Sequence, residues 1–300
     1  YEISRGLVGS EMCIRDSPYP NNTNIPIQSK SGDISDIDVS ENLISSKPDI
    51  IFHLAAIVSG QAEQEFDLGW DINAKGSWGL FEAIRHQGEN YCPRLVFTSS
   101  IAVFGAPFPD KIPDDFFTTP LTSYGAQKAI SELLLADYSR KKMIDGVSIR
   151  LPTICVRPGK PNLAASGFFS GIIREPLNGQ EAILPVNPDV RHWHATPRAA
   201  AGFLVHAAEM DTSKLNDRIT LNMPGLSVTV QEQIDALERV AGSDVVKLIK
   251  HQPDPTIQKI VSGWARDFDT KRSIELGFKA ETNFDEIIKT YIEDDLKTVS

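Results

Sequence analysis

Little in this chain invites a cross-linked or metal-stapled fold. Its three cysteines, Cys13, Cys92 and Cys155, are odd in number and widely scattered, so neither a paired disulfide framework nor a tetrahedral zinc site has the spacing it needs. A reducing, cytoplasmic setting suits them. Long apolar runs are missing too: no stretch approaches the roughly 20 residues that cross a bilayer, and no basic segment followed by an apolar one opens the chain. This reads as a protein without a membrane partner. Basic charge is scarce. With 30 Lys and Arg against 40 Asp and Glu the formal charge is -10, which argues against a broad phosphate-binding face and so against nucleic acid as a partner. A local basic pocket for a small anion is compatible with that total.

What is present is 300 residues, enough for one large α/β core or for a nucleotide-binding domain with a smaller companion. From residue 49 onward short β-type runs alternate with longer amphipathic stretches, the order that builds a parallel sheet covered by helices. Residues 49–56 read as a buried strand ending in small side chains, 66–86 as a helix stopped near Gly88, and 94–100 as the next strand. Residues 121–142 carry Ala129, Leu133, Leu134 and Tyr138 at helical spacing, and 146–151 return to β. Beyond Pro152, segments 157–161 and 178–180 have loop chemistry, and substrate contacts are expected there. Residues 197–210 read as a helix, 218–223 as a strand and 230–241 as a helix.

Tyr124-Gly-Ala-Gln-Lys128 sets a phenol and an ammonium four residues apart, on one face of a helix. A phenol with a pKa near 10 needs a depression of roughly three units to act as a base at neutral pH, about 4 kcal/mol. An adjacent ammonium supplies part of that, and the cationic ring of an oxidised nicotinamide supplies more. The pair therefore suits hydride transfer, with phenolate taking an alcohol proton as hydride departs. Tyr138 and Lys142 share the spacing but sit in a basic patch, where a solvated pair is expected. The run 96–105 reads as a strand ending in hydroxyls, and ligands bind at carboxyl strand ends. Ser100 is the candidate to hold a substrate oxygen, with Ser99 as the alternative and a plain turn serine as the structural reading. His53 reads as a packed strand histidine and Cys155 as a small core residue.

Ser-Ser-Ile-Ala-Val-Phe-Gly105, Ser123-Tyr-Gly-Ala-Gln-Lys128 and Ile149-Arg-Leu-Pro152 together resemble the extended short-chain dehydrogenase/reductase family of NAD-dependent epimerases and dehydratases. The resemblance implies a Rossmann-like doubly wound parallel sheet with a small C-terminal substrate-binding part, and Ser100, Tyr124 and Lys128 as the catalytic set. It also implies cofactor contacts. Asp33 and Ile34 match the turn that holds adenine, and Leu54, Ala55 and Ala56 the strand end along phosphates and ribose. Asn73 matches a helix asparagine, Leu151 and Thr153 the loop beside nicotinamide, and Ser99, Tyr124 and Lys128 complete the cofactor set. Asp33 capping a turn and Asn73 bonding helix backbone are the structural alternatives.

The resemblance runs from about Gly32 to the C-terminus; the glycine-rich opening, first helix and acidic end of the second strand are not recognised, and Gly6 and Gly9 do not supply that turn. Residues 1–17 are expected to be non-native, 6–17 resembling translated adapter sequence from an incomplete gene model. Residues 18–156 then form a truncated dinucleotide-binding domain and 157–300 mainly the substrate part, with about 196–223 returning to the core. NAD is the expected cofactor and NADP stays open, because the discriminating segment is missing. Segments 150–162, 165–174 and 191–194 resemble family members that oxidise the C2 hydroxyl of a small sugar acid. A carboxylate is well served by an arginine fork, with Arg191 first and Arg157 and Arg174 competing. Ser59, Asn162 and Ser166 are further substrate candidates, and a homodimer is allowed for. One alternative is a nucleotide-sugar epimerase or dehydratase using the same Tyr-Lys pair; Ile101 and Ala102, after Ser100, replace the acidic pair a dehydratase tends to carry. The other is a dinucleotide-binding redox sensor, which has no need of all three catalytic groups.

Overall fold

The computed structural model describes residues 5–6, 31–159 and 165–296. The chain passes through β1 (Arg5–Gly6), β2 (Ser31–Gly32), α1 (Ile37–Ile44), β3 (Ile50–His53), α2 (Ser59–Gln64), α3 (Phe66–Gly69), α4 (Gly76–Arg85), β4 (Arg94–Ser100), α5 (Ser123–Arg140), β5 (Asp145–Leu151) and β6 (Thr153–Ile154). It continues through α6 (Gly167–Leu177), β7 (Ala182–Leu184), β8 (Arg191–Ala195), α7 (Pro197–Glu209), β9 (Thr220–Asn222), β10 (Leu226–Thr229) and α8 (Val230–Ala241). The last elements are α9 (Ser243–Val246), β11 (Ile249–His251), α10 (Pro255–Ser262), α11 (Lys271–Glu275) and α12 (Phe284–Asp294). No helix among the described residues is long and apolar enough to cross a membrane.

Two compact units are built from interleaved segments. The first takes the described residues of Tyr1–Ser99 with Thr122–Ser148 and Ala207–Thr220; the second takes Ser100–Leu121, Ile149–His206 and Leu221–Ser300. The main sheet has the strand order β3-β4-β5-β9, with β3 parallel to β4 in the register Ile50 to Arg94 through His53 to Phe97. Leu95, Val96, Phe97, Val147 and Ile149 are wholly buried, as a parallel sheet covered on both faces requires. Arg94 fastens the start of β4. Its Nε and Nη2 reach Asp145 Oδ2 at 2.9 and 2.7 Å, while Nη1 donates to the carbonyls of Ala207, Ala208 and Met210 at the end of α7.

The helix expected over 66–86 is interrupted: Trp70–Lys75 forms a π turn between α3 and α4. Within it the Asn73 carbonyl accepts from the Ser77 hydroxyl at 2.7 Å and from the Ser131 hydroxyl of α5 at 3.3 Å, and the Asn73 side chain bonds away from its own helix.

In the second unit, β10-β8-β6 form a three-stranded sheet, with Leu226 to Thr229 antiparallel to His194 to Arg191, and β6 parallel to β8. β11 pairs with β7 in parallel. Helix α8 starts at a capping box in which Thr229 and Glu232 satisfy each other's backbone N–H. Its apolar side joins Phe169, Ile172, Ile173, Phe284, Ile287 and Ile288 in one core.

Candidate active site

Helix α5 begins where Thr122 Oγ1 accepts from Gly125 N at 3.1 Å, and Ser123 N donates to Glu63 Oε2 at 2.9 Å. This start places Tyr124 in the first turn and Lys128 in the next. As the spacing predicts, the two share a face: Lys128 Nζ lies 5.8 Å from the Tyr124 ring centroid and 4.8 Å from that of Phe97. Nζ donates to Thr98 O at 2.8 Å. Lys128 is 1% exposed, and burial lowers its pKa from 10.5 to about 8, with the Glu132 carboxylate pulling the other way. Tyr124 is half-buried against Ile34, Ile57, Ala62 and Ile72.

Strand β4 holds both charged groups of this helix face. Thr98 receives the ammonium through its carbonyl, and the next residue, Ser99, donates its hydroxyl to the buried carboxylate of Glu132. Ser99 was expected at the cofactor; its side chain is 2% exposed and its hydroxyl is turned inward to Glu132. Ser100, the first residue of the second unit, is half-buried, and its Oγ accepts from Ala102 N at 3.2 Å to cap the short 3-10 turn Ile101–Val103. That bond uses a lone pair and leaves the hydroxyl proton to donate.

The Asn73 side chain is engaged within the protein. It is 1% exposed; its Oδ1 accepts from Ile57 N at 2.9 Å, and its Nδ2 donates to Ile57 O at 3.3 Å and to Gln127 Oε1 at 2.8 Å. With those atoms engaged, the side chain braces the segment after β3 against the residue preceding Lys128. Gly69 permits the approach, since a Cβ there would lie 2.7 Å from Gln127 Nε2. His53 packs between Phe81 and Phe97 as the sequence predicts. Its Nε2 is 2.8 Å from Ser77 Oγ, and because that hydroxyl's proton goes to Asn73 O, Nε2 is the protonated nitrogen. Burial takes the His53 pKa down to about 3.

Asp33 is exposed, and its Oδ1 accepts from the backbone N and hydroxyl of Ser35, the turn cap; Ile34 is buried. Past β3, Leu54 is 49% exposed while Ala55 and Ala56 are half-buried. Leu151 ends β5 half-buried, and the Thr153 hydroxyl donates to His192 Nε2 at 2.7 Å, His192 Nδ1 being bonded to Ala265 O. Ser59 opens α2, and Ser166 stands at the N-cap of α6 without a side-chain cap bond; both are half-buried. Asn162 and Cys13 lie outside the described residues. This donor set fits the nicotinamide end of a dinucleotide. An ammonium has three protons to give and Thr98 takes one, a phenol lies one turn before it, and a short-chained strand end offers a surface for a ribose and ring.

The pair Tyr138 and Lys142 does not join the site: the Tyr138 hydroxyl bonds Glu82, its pKa is pushed up to about 12, and Lys142 is exposed beyond the helix end. Cys155 is fully buried, donates to Phe169 O at 3.3 Å and has its thiol pKa raised to about 12 by burial, so it is a core residue. Arg191, the first candidate for a substrate carboxylate, is already paired: Nη1 donates to Ser227 O at 2.7 Å and Nη2 lies 3.1 Å from Glu232 Oε2. Spacing did not single out Glu132 or Gln127, although each lies within one turn of Lys128.

Comparison with known proteins gives this arrangement a lineage. The profile of the NAD dependent epimerase/dehydratase family matches residues 9–214. A D-erythronate dehydrogenase from Cupriavidus necator is 47% identical over 88% of this chain and 81% of its own length. Another, from Haemophilus influenzae, is 43% identical over 85% and 81%. The crystal structure of the nucleoside-diphosphate-sugar epimerase from Agrobacterium tumefaciens is similar at a TM-score of 0.91 and 57% identity, over 93% of this chain and 82% of that one. L-threonine 3-dehydrogenase from Trypanosoma brucei follows at 0.79 and 26%, over 88% and 81%. With its Tyr-Lys helix, its parallel sheet and these relatives, the chain belongs to the NAD-dependent epimerase/dehydratase family.

Proposed function

We propose that this protein is a dehydrogenase that oxidises the C2 hydroxyl of a small sugar acid, D-erythronate to 2-oxo-D-erythronate, with NAD as its cofactor. The observation that carries the reading is the buried Lys128 ammonium, fixed on Thr98 O and facing the Tyr124 ring. Likeness to two D-erythronate dehydrogenases supports the substrate. A cytoplasmic setting and a homodimer are parts of the same proposal.

Bound NAD supplies the acceptor for the hydride that leaves C2. Tyr124, as phenolate, takes the proton of the C2 hydroxyl, so that the O–H bond breaks as the carbonyl forms. Lys128 stabilises that phenolate by its charge, held in place by its bond to Thr98 O. Ser100 donates its remaining proton to the substrate oxygen.

Purified protein given D-erythronate and NAD is expected to produce NADH, and Tyr124→Phe to abolish this while its far-ultraviolet circular dichroism is unchanged. Equal turnover by that variant would remove Tyr124 from the mechanism. The likeness to the Agrobacterium epimerase favours a second reading, sugar interconversion by the same pair. Offering D-erythronate and UDP-sugars in parallel separates the two: net NADH with the acid alone excludes the epimerase, and interconversion without net NADH excludes the dehydrogenase.

A further inference from the structure

Two consecutive residues of β4 meet the Lys128 ammonium, each with its own chemistry. Thr98 offers its carbonyl oxygen at 2.8 Å from Nζ, and Phe97 offers its ring, whose centroid lies 4.8 Å from Nζ. Both belong to the first unit, as do Tyr124 and Lys128. The Phe97 ring is wholly buried, with the centroids of His53 at 5.5 Å and Phe81 at 6.5 Å. An aromatic face carries the negative part of the ring's quadrupole, and a cation within about 6 Å of the centroid is drawn to it most strongly where water is kept away. Buried as it is, Lys128 meets that condition.

We infer that Phe97 is a positioning residue of the Tyr-Lys pair: its ring face seats the Lys128 ammonium one turn from Tyr124 and keeps it charged in a dry interior. The inference rests on the dehydrogenase reading for the use made of that charge, and on the contacts of Nζ for the seat itself. A carbonyl holds a lysine by one proton, and a neutral amine can donate to Thr98 O as an ammonium does. The ring discriminates, because its face attracts the cation and gives the neutral amine far less. Burial opposes the charge, lowering the Lys128 pKa to about 8, and the Glu132 carboxylate supports it. His53 adds no competing charge to the aromatic cluster, since burial and the Lys128 ammonium both hold it neutral. The carboxylates on the elements packed against α5 are engaged elsewhere or exposed: Glu63 on Ser123 N, Glu65 on Gln61, Asp71 on Lys75, Glu82 on Arg85, and Asp67 at the surface. A lysine of pKa about 8 is about nine-tenths charged at pH 7, and one unit lower it would be about half charged.

The experiment follows the 13Cε chemical shift of Lys128 against pH in labelled protein, assigned with Lys128→Met, and the alkaline limb of kcat/KM for D-erythronate with NAD. It compares wild type with Phe97→Leu, Phe81→Leu and a series in which mono-, di- and trifluorinated phenylalanine replace Phe97, rings of nearly unchanged shape whose faces grow progressively less negative. The Lys128 midpoint is expected to fall stepwise through the series, by about one pH unit for the trifluorinated ring and for Phe97→Leu, the worth of one desolvated cation-ring contact. The alkaline limb should move down with it. Phe81→Leu removes an equally buried ring packed on Phe97 and should leave the midpoint within about 0.3 pH units. Trifluorination that leaves the midpoint within about 0.3 pH units of wild type overturns the seat, as does an equal fall in Phe81→Leu. The fluorinated rings give the answer if Phe97→Leu does not fold. A midpoint that falls while the alkaline limb stays overturns the positioning role, and with it the support of Tyr124 by Lys128. A wild type that makes no NADH from D-erythronate overturns the dehydrogenase reading, and the titration still decides the seat.

Discussion

Glu132→Gln tests the electrostatics of the site without touching a reacting group. Glu132 lies one helical turn beyond Lys128, is 4% exposed, and accepts the Ser99 hydroxyl, a bond that a glutamine oxygen can still accept. The charged and titratable groups facing Lys128 are Tyr124 and Glu132 on its own helix and His53 on β3, and His53 is neutral at working pH. Side chains one turn apart are separated by about 6 Å, and at an effective dielectric constant near 20 two unit charges there interact by about 3 kcal/mol, or two pH units. Lys128 starts at about 8 because burial outweighs that attraction. Removing the carboxylate should therefore move the loss of the Lys128 proton down by about one to two pH units. Since the ammonium supports the Tyr124 phenolate, the alkaline fall of kcat/KM should move down with it. The direct measurement is the 13Cε shift of Lys128 against pH in labelled protein, assigned with Lys128→Met. A titration midpoint within 0.3 pH units of wild type would refute the coupling.

Acid should unfold this protein well above the carboxylate range. His53, His192 and His194 are buried and neutral, with pKa values lowered to about 3, about 4 and well below 6.5. For such depressed groups the stabilisation is complete above pH 6.5 and is lost as pH falls toward the folded values. By pH 5 each should cost about 2 kcal/mol, about 6 kcal/mol together, so the thermal midpoint should drop steeply between pH 7 and 5; a flat midpoint over that window would contradict the reading. Asn73→Ala leaves Ile57 N, Ile57 O and Gln127 Oε1 without that partner in a dry interior. A loss of about 3 kcal/mol in urea unfolding is expected, and a change below about 0.5 kcal/mol would remove Asn73 as a brace.

The readable parts of the sequence were those whose cause is local. β4 begins and ends where its run does, at 94 and 100, and α8 matches its period at 230 and 241. Helix α5 is shorter than its periodic pattern by two residues at each end, Thr122 capping it before Tyr124. The Tyr124-Lys128 face was legible because spacing alone decides it. What stayed hidden depends on partners distant in sequence. A glutamate in a helix reads as solvated, and only Ser99, 33 residues earlier, shows that Glu132 is interior. Arg191 has an arginine's ordinary suitability for a carboxylate, and its pairing with Glu232 comes from a residue distant in sequence. Helix α10 carries a local start signal, Asp254 as its cap before Pro255.

The π turn at 70–75 also changes the phase of its helix. A regular helix advances 100° per residue, so the wider loop delays the rotation of everything that follows and lets two apolar stripes, one ahead of Trp70 and one behind Lys75, meet different neighbours from a single rod. Excising one residue there would restore regular winding and swing Leu80, Phe81 and Ile84 from the interior toward water. The irregularity is thus a gear between two packing surfaces, with Asn73 at its axle.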